Sequence, residues 1–288
     1  MLTASSRFRR TCEYLAGRAA TRIVNLRDGW RDPAALAYFR TMCAGGFDPE
    51  AHIDVLPRFA LIYVSVPKCA STTIKSVLSA LQRGESPPPD KIHVRRYSGL
   101  NSPTQVGLSA FHRLATDATT LRFAFVRNPY ARLVSAWADK FQNKPLVAGD
   151  SFVDLYLAHR AAIDNPALPH GAEQTLSFAQ FVEFAVASSN RRVNSHWHLQ
   201  DDLLNMPGLS LDFIGKVETF CADFARVLDH LGADRAPRQP FGISYNASMH
   251  RPWPDYYTDA LAARVHRAYE RDFDHFGYTR ALAAPAVA

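Results

Sequence analysis

The segment LIYVSVPKCASTTIKS at residues 61–76 constrains the fold of this chain more than any other stretch. An apolar, β-branched run ends at a proline, and apolar residues at helical spacing follow it. The pattern predicts a buried strand at 59–66, a short turn and a helix at 72–82. In an α/β sheet, ligands lie beyond the carboxyl ends of the strands, and this turn occupies that place.

The composition of the turn indicates an anion site. A helix that begins near Thr72 directs free N–H groups and the positive end of its dipole into the turn. Lysines add charge, hydroxyl residues add donors, and small residues let a ligand approach the backbone. The residues predicted to line the site are Pro67, Lys68, Cys69, Ala70, Ser71, Thr72, Thr73 and Lys75. The simpler alternative is a plain helix cap, which explains only one of the three hydroxyls.

A second basic turn follows the next predicted strand, LRFAFV at 121–126. Arg127 comes directly after this strand, and Pro129 opens a helix that runs to about Phe141. Ser135 lies about two helical turns beyond Arg127, so the guanidinium and the hydroxyl are placed to hold a second anionic group. The alternative is that Arg127 pairs with a neighbouring acid and Ser135 is simply buried. Two such turns indicate a ligand with two separated anionic ends.

The rest of the chain alternates between helical and strand-like patterns. Predicted segments are a helix at 33–44, a loop at 86–90, a Ser-capped helix at 177–187, a strand at 211–214, a helix at 219–231 that stops at Gly232, and one last helix at 255–276. The alternation predicts an α/β fold with a mostly parallel sheet covered by helices on both faces. We divide the chain into an N-terminal helical segment (1–57), a main domain (58–280) and a disordered tail (281–288).

Composition narrows the class of protein. With 33 basic and 27 acidic side chains, the formal charge of +6 suits an anionic ligand or nucleic acid, and also suits a plainly solvated surface. The four cysteines are widely spaced, which argues against a zinc site or disulfide framework and favours a reducing compartment. No long apolar span or apolar leader stands out, so neither a transmembrane helix nor a secretory signal is expected.

Three later segments extend the pattern: NSHWHLQDDLL at 194–204, LDFIGKVETF at 211–220 and YERDFDHFGY at 269–278. Together with the two basic turns, and in this order, they resemble sulfotransferase family 2. The likeness is to the Golgi-type carbohydrate group that includes the HNK-1, chondroitin and dermatan enzymes. It implies a P-loop-like three-layer α/β sandwich. It also implies 3′-phosphoadenosine-5′-phosphosulfate (PAPS) as co-substrate and a carbohydrate hydroxyl as acceptor. No metal is expected, because the sequence shows no carboxylate, His or Cys cluster with ligand spacing.

The resemblance also implies residue roles. Lys68 and the hydroxyls of residues 71–73 would hold the 5′-phosphosulfate, and Lys68 would neutralise the oxygen between phosphorus and sulfur. Arg127 and Ser135 would hold the 3′-phosphate, and Lys75 matches a basic position of the same loop. His196 is the leading candidate for the base that accepts the acceptor's proton. His93 and His112 are rivals, and a merely packed histidine is the simpler alternative.

The sequence departs from that group at three points. Asn128 stands where an acid is usual, Leu203-Leu204 stand where a cysteine is common, and no N-terminal anchor is recognisable. These departures lead us to expect a bacterial, cytoplasmic enzyme, either free or peripheral to the inner face of the membrane.

Two other classes stay open from the residues alone. A P-loop kinase would need a Walker A loop, GxxxxGK[ST], and a magnesium-binding acid at a strand end, and neither is found. A non-catalytic anion or nucleic-acid binding protein would present a continuous basic and aromatic surface. Here the basic residues cluster at two strand ends instead, so no nucleic-acid partner is expected.

Overall fold

The computed structural model describes residues 31–44, 46–162, 175–189, 194–232 and 251–282. The strands are β1 (Ile53–Leu56), β2 (Leu61–Val64), β3 (Leu121–Val126) and β4 (Phe213–Lys216). The helices up to β3 are α1 (Pro33–Ala44), α2 (Pro49–His52), α3 (Ser71–Arg83), α4 (Arg95–Ser98), α5 (Pro103–Val106) and α6 (Leu108–Thr116). Those after β3 are α7 (Pro129–Lys140), α8 (Ser151–Ala162), α9 (Phe178–Ser188), α10 (Gln200–Leu204), α11 (Phe220–Leu231), α12 (Asp259–Ala268) and α13 (Glu270–His275). Short 3₁₀ turns cover Pro57–Phe59, Val217–Thr219 and Trp253–Tyr256.

The sheet has the order β1-β2-β3-β4. β1 is antiparallel to β2, whereas β2, β3 and β4 run parallel, with Leu61 opposite Leu121 and Phe123 opposite Phe213. The parallel strands end together at Val64, Val126 and Lys216, so the turns that follow β2 and β3 meet at one edge. The α/β class with a mostly parallel sheet flanked by helices is therefore confirmed.

Two apolar clusters build the interior. The first packs the sheet against α1, α3, α6 and α11, and the second gathers α7, α8, α9, α12 and α13 around the fully buried Trp197. Because α7 starts directly after β3, the second cluster adjoins the carboxyl edge of the sheet. Among the described residues, no helix combines the length and apolarity needed to cross a membrane.

Most predicted elements are confirmed, and the capped helix at 177–187 shows the reason. Ser177 Oγ accepts the backbone N–H of Gln180, whose side chain accepts the N–H of Ser177, which forms a capping box. The strand predicted at 211–214 is β4, which lies two residues later, at Phe213–Lys216. The residue before it, Asp212, uses its carboxylate to accept hydrogen bonds from the backbone and guanidinium of Arg122.

Two predictions about elements need correction. Strand β1 lies in the N-terminal segment, where only helix was expected, and its four residues are all buried against β2. The single helix predicted at 255–276 is wrong. The chain forms a 3₁₀ turn, then α12 capped by Thr258, and breaks at Tyr269 before α13. Tyr269 leaves helical geometry (φ −112°, ψ 20°), and its buried hydroxyl donates to the carbonyl of Trp197.

The division of the chain at residues 57 and 280 stays a prediction. Residues 1–30, most of the N-terminal segment, and residues 283–288 of the tail lie outside the described part of the chain.

Candidate functional site

The turn between β2 and α3 is backbone-strained. Lys68 and Ala70 have φ angles of 70° and 57°, in the left-handed region that costs a residue with a Cβ about 1–2 kcal/mol. Ala70 is the N-cap of α3 but has no side-chain acceptor for the free N–H groups of the first helical turn. Left-handed residues that alternate with ordinary ones curl backbone N–H groups into an anion-binding concavity. This backbone geometry suits an anion-binding cradle at the start of α3.

The Lys68 ammonium faces a carboxylate. Its Nζ lies 3.1 Å from Asp139 Oδ2, near the end of α7, and Lys140 Nζ lies 2.9 Å from the same oxygen. Burial lowers the pKa of Lys68, although Asp139 opposes that shift. Burial of Asp139 disfavours its charge, but Lys68 and Lys140 outweigh burial and lower its pKa to about 2. Lys68 is thus a charged, partly desolvated donor held by a half-buried acid.

The three hydroxyl residues occupy the first turn of α3. Ser71 and Thr72 are buried, and Thr73 is half-buried. Thr72 Oγ1 lies 3.1 Å from His93 Nε2, so this hydroxyl already has a partner. Desolvation of the ring and the positive field of Lys75 lower the pKa of His93 to about 4, although the residue as a whole is exposed.

The other predicted residues of this turn have structural partners. The Pro67 carbonyl accepts a hydrogen bond from Arg132 Nε at 3.1 Å. Cys69 is fully buried, donates its thiol hydrogen to Gln200, and has a thiol pKa raised by burial to about 12. Lys75 Nζ lies 3.0 Å from the buried Asp54. The ammonium of Lys75 is therefore committed to an ion pair below the turn.

Asp54 also receives the guanidinium of Arg95, at 2.7 Å. Arg95 further donates to the carbonyls of Glu50 and Ile53. Arg95 thus ties α4 to β1, whereas the guanidinium of the adjacent Arg96 lies over the ring of Tyr97, 4.7 Å from its centroid.

The second basic turn adjoins the first. Arg127 Nη1 lies 3.4 Å from the carbonyl oxygen of Lys68, which brings the two basic turns into direct contact. Burial lowers the pKa of Arg127, and among the described residues no carboxylate lies within salt-bridge distance of its guanidinium. Ser135, on the second turn of α7, is buried, and its hydroxyl has no hydrogen-bond partner in the described part of the chain. Both groups are available to an anion.

Asn128 explains why the departure from an acid is tolerated. Its Oδ1 accepts the backbone N–H of Tyr130 at 2.9 Å and so caps α7, as an aspartate in this position would. Glu218 accepts the backbone N–H of Asn128 and the hydroxyl of Tyr278. The start of α7 is therefore fixed from both sides.

His196 lies beside the first corner. Lys140 Nζ is 4.6 Å from the ring centroid of Phe152, and that ring contacts the His196 ring edge to face at 5.4 Å. Asn194 Oδ1 accepts the His196 backbone N–H at 3.0 Å and lies 2.7 Å from Nδ1. An oxygen there requires the proton on Nδ1, which leaves Nε2 as a hydrogen-bond acceptor. Burial, with the fields of Lys140 and Lys68, lowers the pKa of His196 to about 3.

The rival histidines have other surroundings. His93 contacts Thr72 at the cradle, whereas His112 lies on α6, where its ring packs against Tyr38 of α1 at 4.7 Å. Of the three candidates, His196 and His93 adjoin the basic corners.

Comparison with known proteins supplies the family. The profile of the sulfotransferase family matches residues 51–279. Carbohydrate sulfotransferase 12 of Mus musculus is 28% identical over 255 residues, which cover 80% of this chain and 60% of that protein. Carbohydrate sulfotransferase 11 of Danio rerio is 33% identical over 201 residues, 66% of this chain and 55% of that protein. Carbohydrate sulfotransferase 14 of Homo sapiens is 27% identical over 205 residues, which cover 66% of this chain and 49% of that protein.

This chain belongs to the sulfotransferase family. The match spans both basic turns, His196 and the final helices. The chain covers about 60% of the length of the mouse relative. No solved structure matches it significantly.

In this member of the family, the structure adds four residues that the sequence did not single out. Asp139 holds Lys68. Arg132, 1% exposed, donates to the carbonyls of Pro67, Ser195 and His198 and so ties the first turn to the His196 loop. Gln200 and Asp272, both fully buried, connect the two basic turns to the C-terminal helices. Gln200 and Asp272 lie inside quoted motifs, and Arg132 and Asp139 lie in the helix predicted from Pro129, but sequence spacing does not reveal contacts between distant segments.

Proposed function

We propose that this protein transfers a sulfuryl group from PAPS to a hydroxyl of a carbohydrate. The observation that carries the proposal is the meeting of two cationic turns at one sheet edge, 3.4 Å apart at Arg127 and Lys68, in a chain of the sulfotransferase family. A ligand with anionic groups at both ends of an adenosine suits this arrangement.

The donor fits the groups present. The strained turn offers backbone N–H groups, Lys68 and the hydroxyls of Ser71 and Thr73 to a phosphosulfate. Arg127 and Ser135 offer a guanidinium and a hydroxyl to the 3′-phosphate. Lys75, which is bound to Asp54, contributes to the positive potential from below the turn.

Lys68 has the leaving-group role in this mechanism. As the bond between sulfur and the bridging oxygen breaks, negative charge develops on that oxygen, and an ammonium aimed at it stabilises the transition state. An anion in the cradle competes with Asp139 for the Lys68 ammonium. Asp139 therefore positions the Lys68 ammonium in the free protein, and the ammonium exchanges this contact for one with the bridging oxygen as negative charge develops there.

His196 has the role of base. Asn194 fixes the proton on Nδ1, and the lone pair on Nε2 accepts the proton of the attacking hydroxyl. The low pKa keeps the ring neutral in the free protein. A bound polyanion offsets the field of Lys68 and Lys140, which raises the pKa of His196 and makes it a stronger base.

The acceptor class rests on the relatives, which are named carbohydrate sulfotransferases. A cytoplasmic location, with or without attachment to the inner face of the membrane, and a bacterial source are further proposals. They are supported by the wide spacing of the cysteines and by Leu203-Leu204, where Golgi-type enzymes often carry cysteine. Fractionation of host cells, with an antibody against this chain, tests the location.

Calorimetric titration without magnesium tests the donor. We expect tight binding of adenosine 3′,5′-bisphosphate and weak binding of ATP. A preference for ATP that depends on magnesium would overturn the proposal in favour of a kinase. Transfer of ³⁵S from labelled PAPS to glycans from the host, and to a peptide fraction as the counter-test, then tests the acceptor class.

A further inference from the structure

Gln200 links the two basic turns through one side-chain amide. Its Oε1 accepts the Cys69 thiol at 3.1 Å and the backbone N–H of Arg127 at 2.9 Å. Its Nε2 donates to the carbonyl of Arg127 at 2.9 Å and to Asp272 Oδ2 at 3.3 Å. A carboxamide has two acceptor positions and two donor hydrogens, so the hydrogen-bonding capacity of this amide is filled.

The contact with Arg127 has the form of a strand pairing. One amide satisfies both the N–H and the C=O of a residue directly after β3, as the facing residue of a hydrogen-bonded antiparallel pair would. Strand β2 stops its pairing earlier, at Val64 opposite Ala124. The side chain of Gln200 therefore continues the sheet beyond the last paired residue and fixes the backbone from which the Arg127 guanidinium projects.

The amide is itself held rigidly. Gln200 is 0% exposed, and Asp272 Oδ2 also accepts its backbone N–H at 3.0 Å, while Oδ1 accepts the N–H of Asp201 at 2.8 Å. Asp272 thus caps the start of α10 and orients the side chain that reaches the turns. Asp272, on α13, is thereby connected through Gln200 to both basic turns.

Building on the proposed function, we propose that Gln200 is a positioning residue for the donor. It sets the spacing between the cradle at Cys69 and the guanidinium of Arg127, and thereby matches the protein to a nucleotide that carries a 3′-phosphate. It touches neither reacting group, and it acts through the backbone of Arg127.

Discrimination between two nucleotides tests this role. We compare dissociation constants of adenosine 3′,5′-bisphosphate and adenosine 5′-phosphate for the wild type, Gln200→Ala, Arg127→Ala and the double variant. The wild type should favour the bisphosphate. Gln200→Ala should narrow that preference by about tenfold, which corresponds to ~1.4 kcal/mol. The double variant should narrow it no further than Arg127→Ala alone.

A matched control separates positioning from general destabilisation. Ser79→Ala removes another fully buried hydrogen bond, to the carbonyl of Ser98, and should lower the melting temperature without changing the nucleotide preference. A folded Gln200→Ala protein with wild-type preference would overturn the inference and leave the proposed function standing. A wild type that binds both nucleotides equally would overturn both.

Gln200→Glu gives a second test if the alanine variant does not fold. The glutamate keeps the acceptor oxygen and replaces the donor nitrogen by a second oxygen, and burial beside Asp272 raises the pKa of the new carboxyl group. Once protonated, it can donate to the carbonyl of Arg127 again. Its preference for the bisphosphate should therefore recover on acidification, relative to the wild type at the same pH values. Absence of that recovery would contradict the role.

Discussion

The two basic turns each place a cation after a parallel strand and before a helix, but their backbone geometry differs. The first, between β2 and α3, is strained, with left-handed φ angles at Lys68 and Ala70, and its cation is paired with Asp139 at 3.1 Å. The second, between β3 and α7, is relaxed, with Asn128 as cap and Pro129 in the first helical turn. Its cation, Arg127, is anchored through its backbone, and its guanidinium has no carboxylate partner in the described ranges.

The contrast suits two different tasks. A group that only binds gains from being fixed in advance, because little freedom is then lost when the ligand arrives. A group that stabilises a charge developing late in the reaction gains from a partner that it can exchange. We infer that Arg127 mainly binds and that Lys68 mainly accelerates the reaction.

The largest effect should come from Lys68→Ala. Loss of the ammonium should lower kcat by about 10²–10³-fold, with a smaller change in the dissociation constant of the donor, because the charge it meets develops mainly in the transition state. Steady-state kinetics with PAPS and calorimetry with adenosine 3′,5′-bisphosphate measure the two quantities. Lys140→Ala, which removes the other partner of Asp139, is the control, and its kcat should fall much less. Near-normal kcat in Lys68→Ala would contradict the inference that Lys68 accelerates the reaction whereas Arg127 mainly binds.

Arg127→Ala should show the opposite signature. Loss of a charge-assisted fork to the 3′-phosphate should weaken donor binding by about 10–100-fold, with less effect on kcat at saturating donor. Arg127→Lys should restore only part of the affinity, since an ammonium lacks the planar fork. Arg96→Ala, on the surface beside Tyr97, is the control. A fall in kcat that exceeds the loss of affinity would show that both turns act on the reaction.

His196 reports on the charge of the first turn. Because burial and the fields of Lys140 and Lys68 hold its pKa at about 3, Lys68→Met should raise that pKa, whereas Arg122→Met should leave it unchanged. Titration of the His196 ring proton by NMR measures it.

Because the pKa of His196 is lowered by folding, we expect the folded state to lose stability in acid. The unfolded imidazole binds its proton near pH 6.5, so stability from the neutral ring is complete above that pH and is lost as the pH falls towards about 3. His196→Asn should flatten that part of the stability curve. A His196 that titrates near its ordinary value would place it away from the lysines.

The smallest effect concerns the strain itself. Ala70→Gly should stabilise the fold by about 0.5 kcal/mol, since glycine tolerates φ of 57° and the relief exceeds the entropy gained by the unfolded chain. Ala80→Gly, in the interior of α3, should instead destabilise by about 1 kcal/mol. Denaturant unfolding of both variants measures the difference. Equal destabilisation would show that Ala70 carries no strain.

Much of the fold could be predicted because local signals agreed with it. The strand at β3, the helix from Pro129 and the capped helix α9 each combine apolar periodicity with a clear start signal. Strand β1 was missed because four residues, IDVL, carry too little periodicity. The break at Tyr269 was missed because it depends on a hydroxyl that reaches Trp197, 72 positions away.

The sequence by itself determined that two basic turns follow two β-rich runs, because proline, lysine, arginine and hydroxyl residues at helix starts have local meanings. Tertiary structure decided how those residues are used: that Lys75 is taken by Asp54, that Asp139 holds Lys68, and that one glutamine joins both turns. The reason is physical. Hydrogen bonds and ion pairs between buried groups depend on which segments the sheet brings together, and a local pattern carries no information about a partner far along the chain.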